Sequence, residues 1–180
     1  MITAIQVKLI HSPDNFFYCL KGDTGQTDWP WRTGADVIGL PVVDEHVVYF
    51  VSLDNVLWAL NRSNGNQRWK RPLPLRPTSG PLGAGAALLV SGFASKLPAY
   101  KLEDGTPAGD MALSGELAAP PHILTAPTGF ESVVIVTTRD IVNGATITAL
   151  AHSNEPPLVP VEVLPNPTTF TPTARPPTDR

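Results

Sequence analysis

The sequence repeats itself at a constant interval of 40 residues, and this repeat limits the folds open to the chain more than any other feature. A shift of 40 brings six identical residues together within an 18-residue window: Ser12, Asp14, Asn15, Leu20, Gly25 and Trp29 fall on Ser52, Asp54, Asn55, Leu60, Gly65 and Trp69. A second shift brings Pro41, Ala59 and Gly65 onto Pro81, Ala99 and Gly105. An ungapped repeat of this length predicts one small structural unit built several times, each copy packed on the next.

The unit itself is predicted to consist of short β-strands. In the second copy, apolar runs are separated by polar turns such as 52–55 and by Asn64-Gly65. The runs are rich in valine and aromatic residues and are too short for helices, and the 20 prolines and 14 glycines of the chain favour many turns. The predicted strands of this copy are residues 36–43, 47–51, 56–60 and 67–72.

Four antiparallel strands in about 40 residues are typical of a β-propeller blade. The inner strands of a blade are buried on both faces, which explains why 47–51 and 56–60 are continuously apolar rather than alternating. The sequence therefore predicts an all-β fold, a partial β-propeller in residues 1–155 followed by an extended Pro/Thr-rich tail in 156–180. The four predicted blades cover approximately residues 5–31, 36–72, 78–113 and 117–163, and the last strand of the fourth is the least defined.

The fourth copy departs from the regular spacing. Its apolar run 133–138 continues the series, but Thr146–Leu150 matches Val56–Leu60 only after about ten extra residues, among them 139–144. The first copy lacks its innermost strand and so begins partway through a unit.

Composition excludes several classes of function. The net charge of −3 provides no basic surface for nucleic acid, and no apolar run approaches the length of a membrane span. The single cysteine, Cys19, excludes an internal disulfide. Residues 1–5 lack the features of a secretory signal peptide. Either the chain stays inside the cell, or the sequence is a truncated or mature piece of a longer one, and we favour truncation.

One motif in the repeat resembles a known family. Residues 59–69, ALNRSNGNQRW, are similar to the tryptophan-docking motif of pyrroloquinoline-quinone-like propellers, A-x-D-x-x-T-G-K-x-x-W. Residues 19–29, CLKGDTGQTDW, match with Lys21 in place of the usual aspartate, residues 99–109 keep Ala99 and Gly105 but have Gly109 in place of tryptophan, and the last copy keeps only Ala149-Leu150.

The motif has a structural role in this interpretation. Gly25, Gly65 and Gly105 are expected to take the positive φ angle of a tight turn between strands. Trp29 and Trp69 are expected to lie on outer strands and to cover the seam between adjacent blades. Ala59 and Ala99 occupy a small buried position of the same repeat.

The resemblance implies two functions that differ in kind. Part of the family consists of quinoprotein alcohol and sugar dehydrogenases, which bind pyrroloquinoline quinone and calcium in the propeller channel. A single cysteine cannot form the disulfide that holds the quinone in many of these enzymes, and the sequence shows no cluster of acidic and amide residues for calcium. We therefore expect no cofactor, no metal and no catalytic residues here, and keep a quinoprotein dehydrogenase as the alternative.

The non-enzymatic branch is typified by the propeller lipoprotein of the outer-membrane β-barrel assembly machine. Resemblance to that branch implies a protein-binding scaffold of the bacterial cell envelope, acting through loops on one face. The apolar loop segments 93–98 and 141–144 are the candidates, with Phe93, Leu97, Ile141 and Val142 as expected contact residues.

Four blades do not complete a ring of the usual six to eight. Three explanations remain: the chain is a fragment, two chains pair to complete the ring, or further chain follows the tail. Of these explanations we favour a fragment, and self-association of two chains ranks second.

Overall fold

Regular structure in the chain consists of β-strands alone across the part described by the computed structural model, residues 15–124, 133–142 and 144–151. The strands are β1 (Phe16–Leu20), β2 (Thr27–Arg32), β3 (Val37–Val43), β4 (Val47–Ser52), β5 (Val56–Asn61), β6 (Gln67–Pro72), β7 (Leu82–Ala84), β8 (Ala87–Leu89), β9 (Lys96–Lys101), β10 (Pro107–Ala112), β11 (Glu116–Leu117), β12 (His122–Leu124), β13 (Val133–Asp140) and β14 (Gly144–Ala151). The all-β prediction is therefore confirmed.

The strands form four antiparallel sheets, which we number as blades. Blade 1 contains β1 and β2, blade 2 has the order β3-β4-β5-β6, blade 3 the order β7-β8-β9-β10, and blade 4 contains β11 to β14. In blade 2 each predicted strand agrees with the observed one to within a residue at either end. Residues 5–14 of the first predicted blade, residues 125–132, 143 and 152–163 of the fourth, and the tail 156–180 lie outside the described residues.

The first strands of successive blades meet, as expected around a propeller axis: β3 contacts β7, and β7 contacts β12. Each of these inner strands is interrupted near the proline that recurs every 40 residues, Pro41, Pro81 and Pro121. In blade 3, Pro81 separates the isolated bridge between Pro77 and Gly92 from β7. The pairing of β3 with β4 breaks between Ile38 and Val42, around Pro41. In blade 4 the inner strand is divided into β11 and β12, which both pair with β13 on either side of Pro121. Proline has no N–H to donate, so it removes a hydrogen bond from the ladder at these points of the inner strands.

Glycines at these interruptions allow neighbouring blades to approach closely. A Cβ atom on Gly80 would lie 2.1 Å from the carbonyl oxygen of Leu40, and one on Gly39 would lie 2.1 Å from the amide nitrogen of Gly80. Blades 2 and 3 thus touch backbone to backbone near the axis.

Apolar packing occurs between blades rather than within one central core. One cluster joins blades 1 and 2, where Phe17 stacks on Phe50 with ring centroids 4.1 Å apart. A second cluster joins blades 2 and 3 and contains Leu57 and Ala59 together with Leu88 and Val90. Blade 2 therefore has both faces covered, and every residue of β4 is buried.

The pairing register of β13 with β14 explains part of the irregular spacing in blade 4. Thr138 pairs with Thr146 just as Ser52 pairs with Val56, but seven residues separate the first pair and three the second. The β13–β14 hairpin therefore has four extra residues at its tip, and the ladder continues to the pair Asp140 and Gly144. Two added pairs lengthen each strand by roughly 7 Å, so this tip projects beyond the equivalent turn of blade 2.

Candidate interaction face

Each well-preserved tryptophan lies on the glycine turn of the following blade. The indole of Trp29 covers Gly65, where an added Cβ would be 2.6 Å from the ring, and Trp69 covers Gly105 at the same distance. The Nε1 of Trp29 donates to the carbonyl of Arg62 at 3.0 Å, and that of Trp69 to the carbonyl of Leu102 at 3.1 Å. The two indoles thus have equivalent surroundings, 40 residues apart.

The three turn glycines adopt the conformation that the motif requires. Gly25, Gly65 and Gly105 have φ angles of 70°, 72° and 69°. Ala59 is fully buried between blades 2 and 3. Ala99 lies at the equivalent position of β9 and pairs with Leu89 and Gly109, but it is only half-buried, so the expectation of a buried alanine is wrong there.

A tyrosine strengthens the seam between blades 2 and 3. The Tyr49 hydroxyl lies 3.0 Å from a carboxylate oxygen of Asp44 and 3.3 Å from the Leu102 carbonyl. Burial, followed by the neighbouring Asp44, raises the pKa of Tyr49 well above its usual value, so the hydroxyl keeps its proton. Partial burial disfavours ionised Asp44, but the N–H groups of His46 and Val47 and the tyrosine hydroxyl hold its pKa below the usual range.

Strand direction places the two candidate loops at the same end of the sheets. In an antiparallel blade, the turn between the second and third strands lies at the same end as the connection to the next blade. Loop 90–95 joins β8 to β9, and residues 141–143 join β13 to β14. Both are second-to-third strand turns of adjacent blades, and we call the end of the sheets that carries them the turn face.

Phe93 is presented to solvent by a loop whose backbone is hydrogen-bonded. Its side chain is 77% exposed. Its N–H donates to the Arg76 carbonyl at 3.2 Å, and the N–H of Ala94 donates to the Gly92 carbonyl at 2.9 Å. The equivalent turn of blade 2 is polar, with Asp54 exposed at its tip.

Ile141 and Val142 form the projecting tip of blade 4. They are the most exposed large apolar residues described, Val142 at 87% and Ile141 fully. The N–H of Val142 donates to the Asp140 carboxylate at 2.6 Å, which orders the turn.

The expectation for Leu97 is wrong. It lies within β9 rather than in a loop, and it is fully buried. Leu97 stands 40 residues after Leu57, which is likewise fully buried in the third strand of blade 2. Its side chain fills a blade face and is out of reach of a partner at the turn face.

Two shallow grooves flank the Phe93 loop. One, of about 180 Å³, lies between residues 92–94 of blade 3 and 116–120 of blade 4. The other, of about 240 Å³, lies between Pro74-Leu75 and residues 94–96, and Asp110 also lines it. The exposed Lys96–Asp110 ion pair, at 3.1 Å, borders this second groove.

The described residues contain no group of three or more histidine, cysteine, aspartate or glutamate side chains that could hold a metal ion. No helix in them has the length and apolar character needed to cross a membrane.

Sheets that meet at their first strands, with indoles docked on glycine turns of the next sheet, define the class as a partial β-propeller of pyrroloquinoline-quinone-like repeats. The chain belongs to the family described as outer membrane protein assembly factor BamB, whose profile matches residues 7–164. This confirms the resemblance found in the sequence.

Similarity to individual members of the family is partial. The BamB of Yersinia pestis is 31% identical over 93 residues, 49% of this chain and 24% of the relative. The BamB of Alteromonas naphthalenivorans is 27% identical over 139 residues, 74% of this chain and 31% of the relative. The crystal structure of BamB from Moraxella catarrhalis superposes with a TM-score of 0.62 at 17% identity, covering 79% of this chain and 42% of that one. The chain thus spans about a quarter to a third of these curated relatives.

Proposed function

We propose that this chain is a non-catalytic propeller module of the cell envelope that binds protein through its turn face and takes part in outer-membrane protein assembly. The observation that carries the proposal is the placement of Phe93, Ile141 and Val142 at one end of adjacent blades, all strongly exposed. Family membership supports the assembly role, because the relatives are named as outer membrane protein assembly factors.

The chemistry of the turn face suits an unfolded polypeptide. Contiguous exposed apolar patches on proteins often mark sites that bind other molecules. An aromatic ring in one blade and a projecting aliphatic tip in the next, with shallow grooves beside the ring, offer separate contacts for apolar side chains of an extended chain. Backbone N–H groups in both turns donate hydrogen bonds, to carbonyls in the Phe93 loop and to the Asp140 carboxylate in blade 4, and this ordering reduces the entropic cost of binding.

The proposal is tested with a urea-solubilised outer-membrane β-barrel protein, fluorescently labelled and diluted into a titration of this chain. We expect saturable anisotropy changes, and the triple variant Phe93→Ser/Ile141→Ser/Val142→Ser should weaken binding at least about tenfold, since three apolar contacts are lost. Leu40→Ser is the matched control, because Leu40 is 79% exposed but lies in the interrupted inner strand. Equal binding by the wild type and the triple variant would refute a role for the turn face.

The alternative, a part of a quinoprotein dehydrogenase, has its own assay. Pyrroloquinoline quinone and calcium are added to the chain, and dye-linked oxidation of an alcohol or sugar is followed. Turnover that depends on both additions would replace the scaffold proposal with the enzymatic one.

A further inference from the structure

The glycine turn of blade 2 contains the two reactants of a covalent modification. Asn64 directly precedes Gly65, and Asn64 is exposed to solvent. In an Asn-Gly pair, the backbone nitrogen of the glycine can attack the side-chain carbonyl carbon of the asparagine, because glycine has no Cβ to obstruct the approach. Asparagine is also one of the thermolabile residue types. The turn is therefore a candidate site of deamidation.

The reaction requires only water besides the chain itself. The Gly65 nitrogen loses its proton and forms a bond to Cγ of Asn64, the bond from Cγ to Nδ2 breaks, and ammonia leaves. Water then opens the resulting succinimide ring at either carbonyl carbon. One product is aspartate. The other is isoaspartate, in which the main chain runs through Cβ and is longer by one atom, and both products carry a new carboxylate.

Hydrogen bonds within the folded turn oppose this reaction. The N–H of Gly65 donates to the Asn61 carbonyl at 2.8 Å. The Oδ1 of Asn64 accepts from the N–H of Asn66 at 2.9 Å. A nitrogen that gives up its proton loses the first bond, and turning the carboxamide toward that nitrogen weakens the second.

The indole of Trp29 holds the turn from the neighbouring blade. It lies over Gly65, which is buried although the residues on either side of it in the sequence are exposed. Its Nε1 donates to the carbonyl of Arg62, two residues before Asn64. The ring thus restricts displacement of the glycine, and the hydrogen bond fixes the preceding part of the turn. Ring closure at Asn64 therefore requires Trp29 to leave the seam first.

The corresponding turn of blade 3 offers a comparison within the same chain. Asp104 and Gly105 stand 40 residues after the Asn-Gly pair, and the N–H of Gly105 donates to the Lys101 carbonyl at 2.9 Å. Trp69 covers this glycine as Trp29 covers the first. An ionised aspartate resists attack by a nucleophile, but Asp104→Asn would place the same Asn-Gly chemistry under the second indole.

We propose that Asn64 is a deamidation site controlled by the docking of Trp29, so that modification accumulates only in molecules whose seam between blades 1 and 2 has opened. A protected backbone group reacts through local opening of this kind. The longer main chain of isoaspartate alters the turn on which the indole docks. The modification should therefore also hinder the seam from closing again.

The test follows deamidation in the full chain carrying Asp104→Asn, incubated at mildly alkaline pH. Mass spectrometry of proteolytic peptides and enzymatic methylation of isoaspartate give the rates. Fragment spectra distinguish Asn64 from Asn66, which lies in the same tryptic peptide, 63–68. We expect the rate at position 64 to be at least about tenfold lower in the folded chain than in the urea-unfolded chain. Trp29→Ala should raise that rate in the folded chain at least about tenfold and leave the rate at position 104 unchanged.

Trp69→Ala is the matched control, because it makes the same change at the next seam. It should raise the rate at position 104 and leave that at position 64 unchanged. Circular dichroism shows whether each variant is folded, and Trp29→Phe and Trp69→Phe, which keep an aromatic ring, should show the same selectivity with smaller increases. Equal rates at position 64 in the folded and unfolded chain would overturn the inference. It would also be overturned if the two tryptophan changes raised both rates alike, since general loosening of the fold would then explain the reaction.

Discussion

Two tryptophans on one strand differ in the hydrogen bonding of their indole N–H groups. Trp29 and Trp31 both lie on β2, and their rings pack against blade 2. The Trp29 N–H donates to the Arg62 carbonyl, whereas the buried Trp31 N–H has no partner among the described residues. The pair therefore separates the contribution of the indole hydrogen bond from that of the ring.

We expect Trp29→Phe to lower the free energy of unfolding more than Trp31→Phe does. The first change removes a hydrogen bond worth about 1 kcal/mol and leaves a carbonyl without its donor. The second removes a donor that is already unsatisfied, so it should cost at least about 1 kcal/mol less. Urea denaturation followed by circular dichroism measures both variants. Equal losses would show that the docked indole acts through its ring alone.

The tryptophan-docking motif acts at the seam between two blades. Two glycines of the motif allow the contribution of the docked indole to be measured. Gly65 and Gly25 have nearly the same positive φ angle, but only Gly65 lies under an indole, that of Trp29. An added Cβ at Gly25 meets no described atom within 4 Å. The two positions thus share the conformational strain and differ in the docking contact.

Gly25→Ala should cost about 1 to 2 kcal/mol of unfolding free energy, the usual penalty for a side chain in the left-handed region. Gly65→Ala should cost that amount and about 1 to 3 kcal/mol more, because the new methyl group displaces the Trp29 ring by overpacking. Thermal and urea unfolding provide the values, and tryptophan fluorescence should change in Gly65→Ala only. If Gly25→Ala were the more harmful, indole docking would not explain the glycine.

At the level of elements, much of the fold could be predicted because the repeat and the strand signals agree. The strands of blade 2 and the turn glycines follow from apolar runs and turn residues that act locally. The prediction that Leu97 lies in a loop is wrong, although the 40-residue interval relates Leu97 to the strand residue Leu57. The interval was the better guide there, since packing between blades decides burial and local composition does not.

Other features depend on contacts between blades that single residues do not reveal. The proline series at 41, 81 and 121 was visible in the sequence, but its effect on the inner strands becomes clear only from their pairing. The turn face could not be derived from the apolar loops alone, since their common position depends on strand direction in two separate sheets. The projecting tip at Ile141 likewise follows from the register of β13 with β14.

At the level of the whole molecule, stability should be distributed over the seams between blades. The buried cluster between blades 1 and 2 and that between blades 2 and 3 share no residue, although both use blade 2. Phe17 and Leu88 lie in different clusters, with the sheet of blade 2 between them. In repeat proteins, total stability is approximately a sum of unit terms and nearest-neighbour interfaces.

Phe17→Leu and Leu88→Val, each a modest change at a buried site, should each cost about 1 to 1.5 kcal/mol of unfolding free energy. In the double variant the losses should add to within about 0.5 kcal/mol, because the sites have no common contact. Phe17→Leu combined with Phe50→Leu is the contrasting pair, since these rings stack on each other and should show a coupling of about 0.5 to 1.5 kcal/mol. Urea unfolding of the three single-site variants and the two double variants, with the wild type, completes both cycles. A coupling between Phe17 and Leu88 as large as that between the stacked rings would mean that blade 2 transmits strain from one seam to the other. The molecule would then have to be described as one continuous core instead of a series of interfaces.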